Sequence, residues 1–525
     1  MRAIRRMLAP ALCALLISCG HAPLDVQTAA SASSQEEAQE EDFAGRAKAQ
    51  VQANGRIKPD RKRARNVILF VGDGMGITTI TAARILEGQL EKSAYGGEEN
   101  QLSFEKFPYL AHSKTYQANQ QVPDSAPTMT AIITGSKAND GMLSVHPRVE
   151  RNDDFAAAAD PANHLETLLE QAEARGMWTG VVSTARVTHA TPGACYAHTS
   201  QRDAESDANL ASFSAQAFST SPGLKDIAAQ LVDFHRRDAR MNGKTSPGLE
   251  VALGGGRSKF LLETEDDPEY PDQAGERKDR NLTAVWTSRG GQYVFDKPGL
   301  DRIDSATTGP VLGLFEPSHM QYEIERNRAA EPSLTEMTEK AIRILQRGPK
   351  GFFLMVEAGR IDHGHHDGVA VKALTEAVEL SNAVAKAVEL AGKDTLIVVT
   401  ADHSHAFTMS GYPVRGNPIL GLVVANDSRT GLREPGPKKA RDGKPYTTLG
   451  YANGPGAVQG ERPDLSAVDT AAPTYLQQAL VPLSSETHGG EDVAIFARGP
   501  HAHLFQGTME ENAIYWVMAK ALGFW

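Results

Sequence analysis

Seven side chains able to bind a divalent metal fall into two short stretches of this chain. Asp362, His363, His365 and His366 lie within five residues, and Asp402, His403 and His405 within four. Asp362 and His366 are four apart, which puts a carboxylate and an imidazole on one face of a helical turn. With His488 as a third donor they make a three-ligand set that leaves a position open for water or substrate, the usual arrangement of catalytic zinc. Asp402 and His403 suit a second ion. Asp73, with two oxygens, suits a bridge from that ion to a third. Thr191 and Glu357 offer oxygen alone, which favours magnesium there.

A nucleophile accompanies these donors. Ser125 sits in Val122-Pro-Asp-Ser-Ala-Pro-Thr128, ahead of residues that read as helical through Ile133, with Gly135 beyond. At a helix N-terminus the dipole favours an alkoxide and an anionic substrate. No Gly-x-Ser-x-Gly elbow surrounds it, so metal coordination rather than a hydrolase triad would activate the hydroxyl. Taken singly, each piece has an ordinary explanation: Asp124-Ser125 as a helix cap, Gly72-Asp-Gly-Met-Gly76 as a tight turn, 362–366 as a solvated helix start. Their joint placement argues otherwise.

That placement follows five apolar runs. Residues 66–72 run into Asp73, 178–182 lead to His189 and Thr191, 351–356 run into Glu357, and 395–400 run into Asp402. The fifth case is reversed: Glu486-Thr-His488 sits just ahead of the run 493–496. Such runs suit buried strands of a parallel sheet, and open α/β sheets bind ligands beyond the carboxyl ends of their strands. Helix signals alternate with the runs. Asp160-Pro161 opens a helix through Glu173, the capping box Ser333-Leu-Thr-Glu336 opens one stopping near Gly348, and 369–390 reads as one long helix. The expected fold is α/β, a doubly wound, mostly parallel central sheet flanked by helices. Two loop-rich segments interrupt it. Residues 255–310 read as a surface insertion, and 411–484 as a second one that caps or flanks the site.

A net charge of −11 argues against a nucleic-acid partner. It does not exclude a small phosphorylated substrate, because metal ions supply local positive charge. The first residues read as a targeting segment. Arg2, Arg5 and Arg6 precede an apolar stretch ending in Leu16-Ile17-Ser18-Cys19-Gly20, which resembles a bacterial lipoprotein signal. On that reading 1–18 are removed, Cys19 is lipidated as the membrane anchor, and 19–41 form a flexible tether to a domain from 42 to 525. The alternative is an ordinary secretory signal with an incidental cysteine. Either way the protein is exported, to the periplasmic or cell-surface side. Cys195 is then left unpaired, so the domain relies on its core and metals rather than on disulfides.

Several stretches together resemble the alkaline phosphatase family, and its animal-type branch more than the enteric bacterial one. They are Val71-Gly-Asp-Gly-Met-Gly76, Pro123-Asp-Ser-Ala126, Arg186-Val-Thr-His-Ala-Thr-Pro192, the run from Val356 to His366, Thr400-Ala-Asp-His-Ser-His405 and Glu486-Thr-His-Gly-Gly-Glu-Asp492. The resemblance spans about residues 65–520, in the family's order. It implies a metal-dependent phosphomonoesterase that hydrolyses phosphate monoesters at alkaline pH through a phosphoserine, releasing inorganic phosphate. Ser125 would be the nucleophile and Arg202 the clamp on two phosphate oxygens. Asp362, His366 and His488 would hold one Zn2+; Asp73, Asp402 and His403 a second; Asp73, Thr191 and Glu357 one Mg2+. His189 and His363 would stand near the magnesium and phosphate, a pair typical of the animal branch.

The resemblance also implies a homodimer, with 411–484 as a crown-like insertion whose Tyr412 reaches the partner's active site. A fourth, Ca2+ site would use Glu269, the carbonyl of Phe315, Glu316 and Glu331, extending the first insertion to 255–331. Glu331 stands where aspartate is usual, and Pro127 and Met129 replace small residues after the nucleophile. The rivals are a phosphodiesterase or sulfatase on the same scaffold, and a surface-anchored lipoprotein that captures phosphate or metal without turnover. The chain lacks the Cys-x-Pro-x-Arg motif of sulfatases.

Overall fold

Each apolar run becomes a strand. In chain order the strands are β1 (Asn66–Gly72), β2 (Tyr109–Lys114), β3 (Trp178–Arg186), β4 (Val251–Gly255), β5 (Gln292–Val294), β6 (Val311–Leu314), β7 (Phe352–Ala358) and β8 (Thr395–Ala401). There follow β9 (Ser404–His405), β10 (Phe407–Met409), β11 (Leu449–Gly454), β12 (Ala479–Pro482), β13 (His488–Gly489), β14 (Val493–Arg498) and β15 (Thr508–Glu510). This computed structural model describes residues 43–151, 155–213, 225–234 and 248–525. The expected leader and tether, Cys19 included, lie outside the described residues.

Ten strands form one sheet in the order β15-β2-β14-β8-β1-β7-β3-β4-β6-β5. β14 runs antiparallel to both its neighbours, and every other neighbouring pair is parallel. The fold is therefore the mostly parallel α/β sheet that the runs suggested. The strand directions also resolve the reversed fifth case. A residue ahead of an antiparallel strand lies at the same edge as residues that follow parallel ones, so His488 joins Asp73, Glu357 and Asp402.

All residues of β1, β7 and β8 are buried, which explains runs that are apolar on both faces. Ile68 and Phe70 pack into one core with the helices Ile77–Leu90, Leu334–Leu345 and Ala370–Leu390. Val67, Leu69 and Val71 face the other core, closed by Ser125–Thr134, Leu168–Ala174, Ala190–Tyr196 and Ala513–Leu522. Each large apolar side chain buried there contributes about 1.5–3 kcal/mol relative to exposure. Cys195 is buried and free, so these cores rather than a crosslink hold the fold.

Local signals decide the helix ends. Ser333 and Glu336 form the expected reciprocal box, and the long helix runs over Ala370–Leu390. The helix expected from Asp160 is different. Asp160 caps only a single turn, Pro161–Asn163, and the helix Leu168–Ala174 opens on a second box made by Thr167 and Glu170. Two caps compete within eight residues, and the one with two reciprocal hydrogen bonds starts the helix. The segment expected as a surface insertion at 255–331 is partly sheet, since it supplies β5 and β6 to one edge. The segment 411–484 contributes β11 and β12 to a small three-stranded sheet with β10.

Candidate active site

The helix Ser125–Thr134 begins where β1 and β8 end. Asp124 caps it, its Oδ2 accepting from Ala126 N at 3.3 Å, and Gly135 closes it at φ 78°, a left-handed turn that glycine takes without strain. Ser125 is thereby fixed at the N-terminus and buried. Its Oγ lies 3.1 Å from His403 Nε2 and 3.4 Å from Asp73 Oδ1. His403 Nδ1 donates to Ser404 O at 3.2 Å, which leaves the Nε2 lone pair facing the serine.

Four donor clusters surround this hydroxyl. Asp362, His366, His405 and His488 bring one donor atom each to within 4.8 Å of one another, and so do Asp73, Asp362 and His403. Asp73, His189 and Glu357 form a third group on the same measure, and His189, His319 and His363 a fourth. Asp402 Oδ2 stands 3.6 Å from His403 Nε2. Asp402 Oδ1 accepts from Gly74 N at 3.0 Å and His403 N at 2.9 Å. The structure thus brings Asp73, Ser125, His189, Glu357, Asp362, His363, His366, Asp402, His403 and His488 to one sheet edge. Thr191 follows from the helix Ala190–Tyr196 that His189 precedes.

The hydrogen bonding of these groups fits cations. Asp73 Oδ2, Thr191 Oγ1, Glu357 Oε1 and Asp402 Oδ2 are buried without a hydrogen-bond partner, a cost of about 1–3 kcal/mol each unless something else satisfies them. His366 Nδ1 donates to Glu486 O at 2.6 Å and His488 Nδ1 to Pro123 O at 2.8 Å. Both Nε2 atoms therefore carry lone pairs, and they face each other at 3.0 Å beside Asp362 Oδ1. Two lone pairs cannot bond each other, but both can point at one metal ion.

Electrostatics tell the same story. Burial, then the charges of Asp402, Asp362 and Glu357, pushes the Asp73 carboxyl well above its ordinary value. Burial likewise pushes Glu357 up to about 7, against the hydrogen bond from Ser183 and with the charge of Asp402 adding to it. Packed carboxylates of this kind resist ionising together unless cations neutralise them. Asp362 goes the other way: burial would raise it, but His366, His405 and His488 hold it well below the carboxylate range.

Several residues do more than the sequence reading assigned to them. Asp124 is more than a cap, since its Oδ1 also accepts from Arg202 Nη1. Arg202 Nη2 donates to His189 Nε2 at 3.1 Å, so the guanidinium spans Asp124 and His189. His405 bonds Asp362 Oδ1 at 2.8 Å through Nε2 and Glu486 Oε2 at 2.5 Å through Nδ1. Burial alone would lower its pKa, yet those two carboxylates hold it up at about 9. His319 stacks edge-on against His363, their ring centres 4.2 Å apart. The dense spacing around His405 and the capping position of Asp124 were the available signals; His319 had none.

The calcium-like set is less tightly gathered. Glu331 is pushed up to about 9 by burial and then by the neighbouring Glu316. Tyr270 OH donates to Glu316 Oε1 at 2.8 Å, and Arg257 Nη1 reaches Glu269 Oε2 at 2.8 Å and Leu314 O, just ahead of Phe315, at 3.0 Å. No tight donor cluster among the described residues includes these three glutamates. Tyr412 is 94% exposed, with φ 57°.

Residues 64–524 match the family described as alkaline phosphatase. The chain is 46% identical over 470 residues to the tissue-nonspecific alkaline phosphatase of Gallus gallus, covering 87% of this chain and 84% of that one. It is 45% identical over 473 residues to an alkaline phosphatase of Gadus morhua, covering 88% and 92%. Among solved structures, Thermus thermophilus alkaline phosphatase superposes with a TM-score of 0.62 at 22% identity, covering 89% of this chain and 93% of that one. Alkaline phosphatase from the Antarctic bacterium TAB5 gives 0.56 at 20%, covering 88% and 99%. The solved structures speak for the fold, and the curated relatives, at close to half identity along nearly the whole length, speak for more: this chain belongs to the alkaline phosphatase family and is a phosphomonoester hydrolase.

Proposed function

We propose that the protein is an exported phosphomonoesterase that turns over phosphate monoesters at alkaline pH through a phosphoserine on Ser125, with two zinc ions and one magnesium. The observation that carries this reading is the setting of Ser125. Its hydroxyl lies at a helix N-terminus, 3.1 Å from a His403 lone pair and 3.4 Å from Asp73, among buried oxygens that lack partners. The hydroxyl proton has an acceptor in either neighbour. Ser125 Oγ attacks phosphorus as the ester P–O bond breaks and the alcohol leaves; water then attacks the phosphoserine and releases phosphate. Arg202 binds two non-reacting phosphoryl oxygens, and Asp124 and His189 hold its fork in place.

Asp362, His366 and His488 would hold the first zinc, Asp73, Asp402 and His403 the second, and Asp73, Thr191 and Glu357 the magnesium. When bound, such ions supply Lewis acidity, neutralising phosphoryl charge and easing deprotonation of serine and water. His189 and His363 would stand beside the phosphate and magnesium as neutral imidazoles. Burial first, then Arg202 and Arg186, lowers His189, and burial lowers His363 to about 3. Glu269, Phe315, Glu316 and Glu331 would serve a calcium ion as a separate structural site. Cys19 would carry the lipid anchor, and the exposed Tyr412 of the 411–484 insertion would enter the partner's site in a homodimer.

The test is turnover of p-nitrophenyl phosphate against bis(p-nitrophenyl) phosphate at alkaline pH, with zinc and magnesium and with a chelated control. Fast, chelator-sensitive monoester hydrolysis is expected. A preference for the diester would move the function to a phosphodiesterase. No turnover of either, with metal bound, would favour the binding-protein rival.

A further inference from the structure

The opposite edge of the large sheet carries a different chemistry. The chain enters β1 through residues 56–65, where Arg56, Lys58, Arg61, Lys62, Arg63 and Arg65 are basic and Asp60 is the one acid. All six basic residues are exposed. β8, β1, β7 and β3 are neighbours and start level with one another, Asn66 opposite Thr395, Val67 opposite Phe353 and Trp178 opposite Phe352. Within three residues ahead of those starts stand Lys393, Arg65, Lys350 and Arg175, all exposed, with Asp394 the one exposed acid among them. They form a row: Arg65 Nη2 donates to Gly348 O at 3.4 Å, and Lys350 Nζ to Arg175 O at 3.0 Å. None of these nine cations forms an ion pair among the described residues, in a chain whose net charge is −11.

The helix Ala513–Leu522 ends at this edge, with Ala64 N donating to Ala521 O at 2.7 Å and Arg63 Nε to Leu522 O at 2.8 Å. It brings two exposed indoles. Trp516 is 42% and Trp525 68% exposed, their ring centres 5.5 Å apart. Lys520 Nζ lies 4.7 Å over the Trp525 ring and the Arg175 guanidinium 4.1 Å over that of Phe524. Cations draw a surface towards anionic headgroups, and tryptophan settles at the headgroup level because its ring is apolar and its N–H wants water. A nucleic acid would use the cations but gain little from indoles packed edge-on against each other.

We infer that this edge is a docking surface for an anionic lipid bilayer. The seven residues of β1, at roughly 3.3 Å each, separate it from the candidate active site, which then faces away from the membrane. The surface does not depend on lipidation at Cys19.

The test is co-sedimentation of the chain from residue 43 onward, so that neither the apolar leader nor an acyl chain contributes. The vesicles are phosphatidylcholine alone, or phosphatidylcholine with phosphatidylglycerol at about 7:3, in about 0.05 M and about 0.5 M salt. Binding is expected on the mixed vesicles at low salt and not on phosphatidylcholine. Combining Lys58→Glu, Lys62→Glu and Lys350→Glu should weaken partitioning by roughly a hundredfold or more, at about fivefold for each charge lost. Trp525→Ser should weaken it severalfold. Phosphatase activity reports that each variant is folded. Equal binding to both vesicle types, or a charge-reversed variant that binds like wild type, overturns the inference. So does a DNA duplex that competes fully while Trp525→Ser has no effect, because the surface would then be a general polyanion site.

Discussion

The two edges of the central sheet are built from the same strands and treat charge in opposite ways. At the carboxyl ends, Asp73, Glu357 and Asp402 are 0% exposed, and each leaves an oxygen without a partner. At the amino ends, Arg65, Arg175, Lys350 and Lys393 are exposed and form no ion pair among the described residues. Water solvates the second set at little cost, so those cations neither need a partner for stability nor gain much from one. The first set cannot be left alone, because packed buried carboxylates repel one another and lack solvent. Neutralisation, by a cation or by a proton, is therefore a condition of stability at one edge, whereas at the other any partner is a matter of recognition.

Stripping the metals should separate the two edges most sharply. Prolonged chelation is expected to remove phosphatase activity to below detection and lower the melting temperature by several degrees, since bound ions stabilise only the folded state. Adsorption to anionic vesicles should survive it. Loss of both functions together would mean that the basic edge depends on the metal edge for its shape. The next effect in size comes from the nucleophile. Ser125→Ala should cut kcat by about a thousandfold or more while zinc content, measured by elemental analysis, stays near wild type. Unchanged turnover would remove the covalent route.

Arg202→Lys tests geometry at constant charge. A lysine ammonium cannot reach Asp124, His189 and two phosphoryl oxygens at once, so kcat/KM should fall by roughly 10- to 100-fold, with product inhibition by phosphate weakened. A loss no larger than twofold would show that charge alone, and not the fork, matters at this position.

What was legible in the sequence follows from the same comparison. The donor edge was readable because three parallel strands, β1, β7 and β8, are apolar runs with a donor at or just past their ends, as in Val71-Gly72-Asp73 and Val356-Glu357. Strand order was not readable, so the row Lys393, Arg65, Lys350 and Arg175 stayed hidden. Those residues lie far apart in the chain and become neighbours only because β8, β1, β7 and β3 do. β5 and β6 escaped for another reason. They span three and four residues, too short for a period to declare itself within a segment rich in glycine and acids. Long-range pairs such as Arg202 with Asp124 or His405 with Glu486 leave no local pattern at all.

The smallest effect concerns how far the metal edge extends. His365 is buried beside the donor His366; its Nε2 lies 2.9 Å from Thr79 Oγ1 and its Nδ1 2.8 Å from Tyr451 OH. Tyr451 belongs to β11, in the segment 411–484, so this chain of hydrogen bonds ties the insertion to the helix Arg360–His366. Tyr451→Phe keeps the ring against Phe407 and His365 and removes only the hydroxyl. A buried imidazole nitrogen then loses its partner, at about 1–3 kcal/mol, which in a protein of this size lowers the melting temperature by about 1–3 °C. If the network also orients His366, kcat should fall about threefold. A melting shift with kcat unchanged would confine Tyr451 to holding the insertion in place, and the donor edge would then end at His366 and His405.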